Sequence, residues 1–223
     1  MWKEIIKIWK SDDLLVQAWD NSYEMLQLSR EMFVQSVQML RKHSKEKTLI
    51  ALKKRDKEIN EFHRNIRRKV MTHLVLQKDA TDIPNGLVLI NMVIDIERVG
   101  DYSKNILDLA ISTPKTLKAE KVNEDLKMIE DEVLSRFDKT LEAIHSQDSD
   151  VAKELVATHR KMVAKTSDKL VDQILKGKIT FESESKAASV ALYARYLKRI
   201  GSHLTNITTT LINPFESVGY VSK

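Results

Sequence analysis

Glu97 and Asp101 stand four residues apart, and Asn105 extends the row by one more turn. In a helix, side chains at that spacing share a face, with Cβ atoms about 6 Å apart. Like charges so placed repel, so the row needs a cation, basic neighbours or solvent to offset it. A second row lies upstream, where Asp56 and Asn60 are four apart and His63 follows one turn later. If two antiparallel helices brought the rows together, three carboxylates, an amide oxygen and an imidazole would meet. An oxygen-rich set without thiolates suits Mg²⁺, Mn²⁺ or iron better than a tetrahedral structural zinc. The same residues support a plainer reading, in which the acids pair with Arg55, Arg64, Arg67 or Arg98 at a solvated surface.

The segment around the first row is used twice. "ERVGDYSKNI" (97–106) is echoed by "KRIGSHLTNI" (198–207), with Arg98/Arg199, Gly100/Gly201, Asn105/Asn206 and Ile106/Ile207 in register. The carboxylates do not recur: Glu97 is matched by Lys198 and Asp101 by Ser202. Gly100 costs about 1 kcal/mol relative to Ala inside a helix. Its presence points to close approach by another backbone or by a bound ion and its waters.

The elements that must position these rows are helices. Five Gly and three Pro in 223 residues leave few turns. Breakers at 43–45, 79–86, 112–115, 145–150, 176–183 and 213–219 cut the chain into six segments of roughly thirty residues. The spacing predicts helices over about 12–42, 46–78, 85–111, 117–144, 148–175 and 184–212. Ser11 to Asp13 supply cap chemistry for the first, Asp148 or Ser149 caps the fifth, and Gly177 ends it. The run "GLVLINMVIDI" marks the third as largely buried. The second trio repeats the first in length and order, so the fold class is all-α: tandem duplicated three-helix bundles built from six long antiparallel helices. The competing arrangement is one continuous six-helix bundle. The first repeat covers 1–112 and the second 113–223.

Composition narrows the chemistry. The chain has no cysteine, which excludes disulfides, thiolate–metal sites and a cysteine nucleophile. No stretch approaches the roughly 20 apolar residues of a membrane span. The opening "MWKEIIKIWK" (1–10) is too interrupted by charge for a signal peptide. It sets Trp2, Ile5, Ile6 and Trp9 near one face, a short amphipathic segment suited to the bundle, a dimer partner or a lipid surface. Between Arg41 and Lys69 there are 12 Lys/Arg against 4 Asp/Glu. That is a solvated face or a stripe for nucleic acid, anionic lipid or an acidic protein. The histidines show no metal-ligand spacing, and no nucleophile-elbow or phosphate-loop motif is present.

"DIERVGDYSKNI" resembles the signature of the PhoU family of phosphate-transport regulators, whose repeats each carry a form of D-L-E-R-I-G-D-x-x-x-N-I. "RDKEIN" (55–60) resembles that family's acidic motif in the preceding helix, and "HSQDSDVAKEL" (145–155) resembles its fourth-to-fifth helix junction. The resemblance implies a PhoU-like pair of three-helix bundles whose E/D-x-x-x-D motifs hold metal. Carried over, the first-repeat ligands are Asp56, Asn60, Glu97 and Asp101, around a divalent or trivalent ion such as iron, manganese, magnesium or zinc. The second repeat departs from the motif, with His159, Val163, Lys198 and Ser202 at the matching positions. Val163 has no donor and a protonated lysine cannot ligate, so the second repeat is expected to keep the fold without the site.

The resemblance also implies a cytoplasmic negative regulator of phosphate uptake, peripheral to the membrane and not an enzyme. It would form a homodimer and act on a phosphate transporter, a sensor histidine kinase, or both. Alternatives are an accessory subunit of a different phosphate permease, a helical nucleic-acid binder using residues 41–69, and a metal-dependent hydrolase. The last needs an open coordination position and a general base, which the sequence does not supply. Nucleic acid is not the favoured partner.

Overall fold

A computed structural model describes residues 13–42, 46–77, 80–113, 117, 122–146, 149–159 and 163–219. The amphipathic start at 1–10 and the cap candidate Asp148 lie outside the described residues. The described chain forms α1 (Leu14–Arg41), α2 (Glu46–Lys54), α3 (Asp56–Gln77), α4 (Ile83–Ser112), α5 (Asn123–Ser146), α6 (Ser149–His159), α7 (Lys165–Leu175) and α8 (Glu184–Thr209). Among the described residues there is no strand.

Local chemistry sets the helix ends. Asp13 caps α1 by accepting a hydrogen bond from the Leu15 N–H at 2.7 Å. Pro84 lies in the first turn of α4, where a missing N–H costs nothing. Asp82 precedes that turn without capping it, because its carboxylate holds His73 Nε2 at 2.7 Å instead. His73 is buried, and its Nδ1 lies 3.0 Å from Asp13, so one imidazole ties the starts of α1 and α4 to α3. Gly177 adopts φ 65° just beyond α7, the left-handed turn expected of a stop.

Three helical segments depart from the sequence expectation. The fourth starts at Asn123 rather than near 117, because Leu117 is buried outside a helix with its N–H on Leu40 O at 3.2 Å. The second is interrupted at Arg55. There the Arg55 N–H reaches Leu52 O at 3.0 Å and the Glu58 N–H reaches Arg55 O at 2.9 Å, both three-residue closures. The interruption makes Asp56 the first residue of α3, where the positive end of the helix dipole favours a carboxylate. No Gly or Pro announces this break. In the fifth, the described residues form α6 and α7, with a π-type turn at Val163 and Ala164 leading into α7.

The repeats share one apolar core, running from Leu15 on α1 to Ile207 on α8. Phe33 on α1 stacks on Phe137 of α5 with ring centroids 5.3 Å apart. α4 packs along α8, and matched positions of the repeat meet with exchanged roles. Tyr102 faces Tyr196 with centroids 6.0 Å apart, while their counterparts across the repeat, His203 and Asp95, bond at 2.7 Å. This is the reciprocity of a two-fold interface, here built within one chain.

Candidate functional site

Asp56 arrives at the site from the first turn of α3, while Glu97, Asp101 and Lys104 project from successive turns of α4. The sequence rows do meet. Lys104 Nζ donates to Asp56 Oδ2 at 3.0 Å and to Asp101 Oδ1 at 3.2 Å. Asn60 turns back along its own helix, with Nδ2 3.0 Å from Asp56 O and 3.2 Å from Asp56 Oδ2. Arg98 closes the outer side, with Nη1 3.4 Å from Asp101 and Nε 3.7 Å from Glu97. The cluster is half-buried: the Asp56, Glu97 and Lys104 side chains are 16%, 20% and 25% exposed.

The electrostatics follow from this crowding. Burial raises the Glu97 carboxyl above its ordinary value, and the charges of Asp101 and Asp56 push the same way against Arg98 and Lys104. Burial works against the Lys104 ammonium, yet its bonds to Asp56 and Asp101 outweigh that cost and hold its pKa above the ordinary lysine value. Lys104 is therefore a full positive charge at neutral pH.

Gly100 is explained by close packing. A Cβ there would lie 2.7 Å from Ile59 Cδ1, so the glycine lets α3 settle against α4 beside the cluster. Arg98 pairs with Glu97 and Asp101 rather than with Asp95 or a residue of α3. Asp95 is taken instead by His203 at 2.7 Å and Asn206 at 3.1 Å. Arg199 donates to the Tyr102 hydroxyl at 3.2 Å. His63 is depressed below the usual 6.5, first by burial and then by Arg67, Arg64 and Arg98. It thus sits in a cationic setting.

In the second repeat, Lys198 binds Asp168 at 2.7 and 2.6 Å through both carboxylate oxygens, and Arg195 joins at 3.2 Å. Ser202 returns its hydroxyl to Lys198 O at 3.0 Å, and Val163 is fully buried in the core. The His159 side chain lies outside the described residues.

The profile of the PhoU domain matches this chain twice, over residues 23–110 and 126–211. This chain belongs to the PhoU domain family. The phosphate-specific transport system accessory protein PhoU homologue of Pseudomonas putida is 28% identical over 163 residues, covering 70% of this chain and 62% of that protein. The chain thus aligns with less than two thirds of that relative's length. The Clostridium acetobutylicum homologue of the same name is 26% identical over 214 residues, or 92% and 93% of the two chains. The crystal structure of PhoU from Pseudomonas aeruginosa superposes with a TM-score of 0.79 at 21% identity, covering 91% of this chain and 97% of that one. PhoU from Streptococcus pneumoniae, described as a phosphate transport system regulatory protein, gives 0.78 at 18%, covering 94% and 98%. At these identities the two structures carry the fold alone.

The PhoU resemblance implies a metal at Asp56, Asn60, Glu97 and Asp101, and the donor chemistry is right for a hard ion, being oxygen throughout. The arrangement is not. Metal–oxygen bonds run about 2.0–2.6 Å, whereas here an ammonium stands 3.0 and 3.2 Å from two of the carboxylates. Among the described residues, no three His, Asp or Glu side chains converge to hold an ion. As arranged, the PhoU cluster fits a lysine ammonium and not a metal. Lys104 is the residue that sequence reasoning missed. Its signal was present, because a lysine three residues after Asp101 falls on the same helical face.

Proposed function

We propose that this chain is an accessory regulator of a phosphate-specific transport system, restraining phosphate uptake and signalling through protein contacts. The observation that carries this reading is the double PhoU match, at 23–110 and 126–211, on a chain whose two repeats share one core. The names of its relatives, accessory and regulatory proteins of phosphate transport, support an adaptor rather than a catalyst. Among the described residues no helix is long and apolar enough to cross a membrane. In this reading the chain works against the inner face of the membrane as a homodimer, bound to the transporter, to a sensor histidine kinase, or to both.

Part of the basic stripe is already engaged. Arg41 pairs with Glu130, Lys53 binds Asp108 at 2.5 Å, and Arg55 binds Glu31 at 3.1 Å. Internal pairing favours the adaptor over a nucleic-acid binder, which would present those charges to phosphates. The test is deletion of the gene in its native host, carrying a phosphate-starvation reporter, in phosphate-replete medium. Reporter activity and phosphate uptake should rise several-fold and return to baseline on complementation. A deletion strain that stays repressed at wild-type uptake would reject the regulatory role.

A further inference from the structure

We infer that Lys104 is the resident cation of the first-repeat acid cluster, and that a metal ion gains Asp56, Asn60, Glu97 and Asp101 only by displacing it. The inference concerns the fold's own cluster and does not depend on which transporter the chain serves. Three observations carry it. The ammonium bridges the two helices that supply the acids, 3.0 Å from Asp56 on α3 and 3.2 Å from Asp101 on α4. Its side chain is three-quarters buried between them. Asn60 turns its amide nitrogen toward Asp56, so its N–H groups already occupy part of the oxygen surface an ion would need.

A tethered ammonium competes with a free ion in two ways. It places positive charge where an incoming dication would sit, and it holds the carboxylate oxygens at hydrogen-bond spacing rather than in a tight coordination shell. Its local concentration does not dilute away, because it is joined to the same helix as two of the ligands. The second repeat gives an internal parallel: Lys198 on α8 satisfies Asp168 on α7 at 2.6 Å. Both repeats thus couple their middle and last helices through a lysine.

The experiment compares full-length wild type, Lys104→Met, Lys104→Arg and the triple variant Lys104→Met/Glu97→Gln/Asp101→Asn, each purified without a metal-affinity tag. Each is incubated with excess Mn²⁺, and separately with Zn²⁺, then desalted and assayed for bound metal, with circular dichroism confirming the helical fold. Wild type and Lys104→Arg should come through empty. Lys104→Met should retain about one ion per chain, and the triple variant should lose it. Melting in the same solutions gives a second reading, in which added Mn²⁺ raises the midpoint of Lys104→Met and leaves wild type unmoved. Two results overturn the inference. If wild type and Lys104→Met each hold about one ion, Lys104 does not compete for the cluster. If Lys104→Met is as empty as wild type and its melting is unmoved by metal, the cluster is no metal site even without its lysine.

Discussion

In the first PhoU repeat, Lys104 reaches from α4 to Asp56 at the start of α3; in the second, Lys198 reaches from α8 to Asp168 on α7. The two lysines do not occupy matching positions. Lys198 stands where the first repeat has Glu97, and Asp168, in the register that matches His159 to Asp56, stands where it has Asn65. At that position of the last helix the duplicated halves carry opposite signs, and each has a link between its middle and last helix. The surroundings differ as well. Asp56 is 16% exposed and crowded by two further carboxylates, whereas Asp168 is 51% exposed and shares its charge with Arg195 and Lys198. Duplication therefore preserved the packing while letting the electrostatics diverge, since a polar contact at the edge of a core can be rewritten without reshaping the core.

The largest expected effect tests whether the halves are one cooperative body at all. Phe137→Ala removes a buried ring stacked on Phe33 across the repeat boundary. It should destabilise the protein by about 3–5 kcal/mol. Urea unfolding followed by hydrogen exchange in both repeats should show a single transition shifted throughout. Two separate transitions, with the first repeat untouched, would mean that each half is stable alone.

Next comes the lysine comparison itself. Lys104→Met leaves Asp56 and Asp101 without their bridging cation and should cost about 1–2 kcal/mol. Lys198→Met, whose partner is half exposed and keeps Arg195, should cost only about 0.2–1 kcal/mol. Equal losses in urea titrations at neutral pH would abolish the distinction between the sites. The sign with pH is fixed for Lys104. Its folded pKa lies above the ordinary 10.5, so its contribution is complete below that value and is lost as pH rises through the folded pKa.

The smallest effect is the titration of His63. Its folded pKa lies below 6.5, so the stability it contributes is present above 6.5 and is lost as pH falls through the folded value. His63→Gln should flatten the stability profile over that window. An unchanged slope would show that neither burial nor the charges of Arg67, Arg64 and Arg98 shift this ring.

Much of this was legible in the chain. The repeated Arg-Gly-Asn-Ile pattern announced a duplication, and the six helical segments lie near their expected places. Spacing alone put Glu97 and Asp101 on one face. The break at Arg55 was not legible, because it involves no Gly or Pro and depends on how α2 and α3 each settle against the core. The start of α5 was misplaced for a similar reason, since Leu117 is held by Leu40 O, a partner 77 residues away. The partners of Asp95 were equally out of reach, coming from α8 more than a hundred residues on.

The sequence by itself determined an all-helical duplicated chain with an acidic row in its first half and a lysine in that row's place in the second. Helical period and the scarcity of breakers are local properties, so they are written locally. Only the tertiary structure decided that the halves share one core, that Gly100 makes room for Ile59, and that Lys104 neutralises the acids. Those outcomes depend on the rotation and register of packed helices, and a shift of one residue, about 100° around an axis, would have aimed the same side chains at different partners.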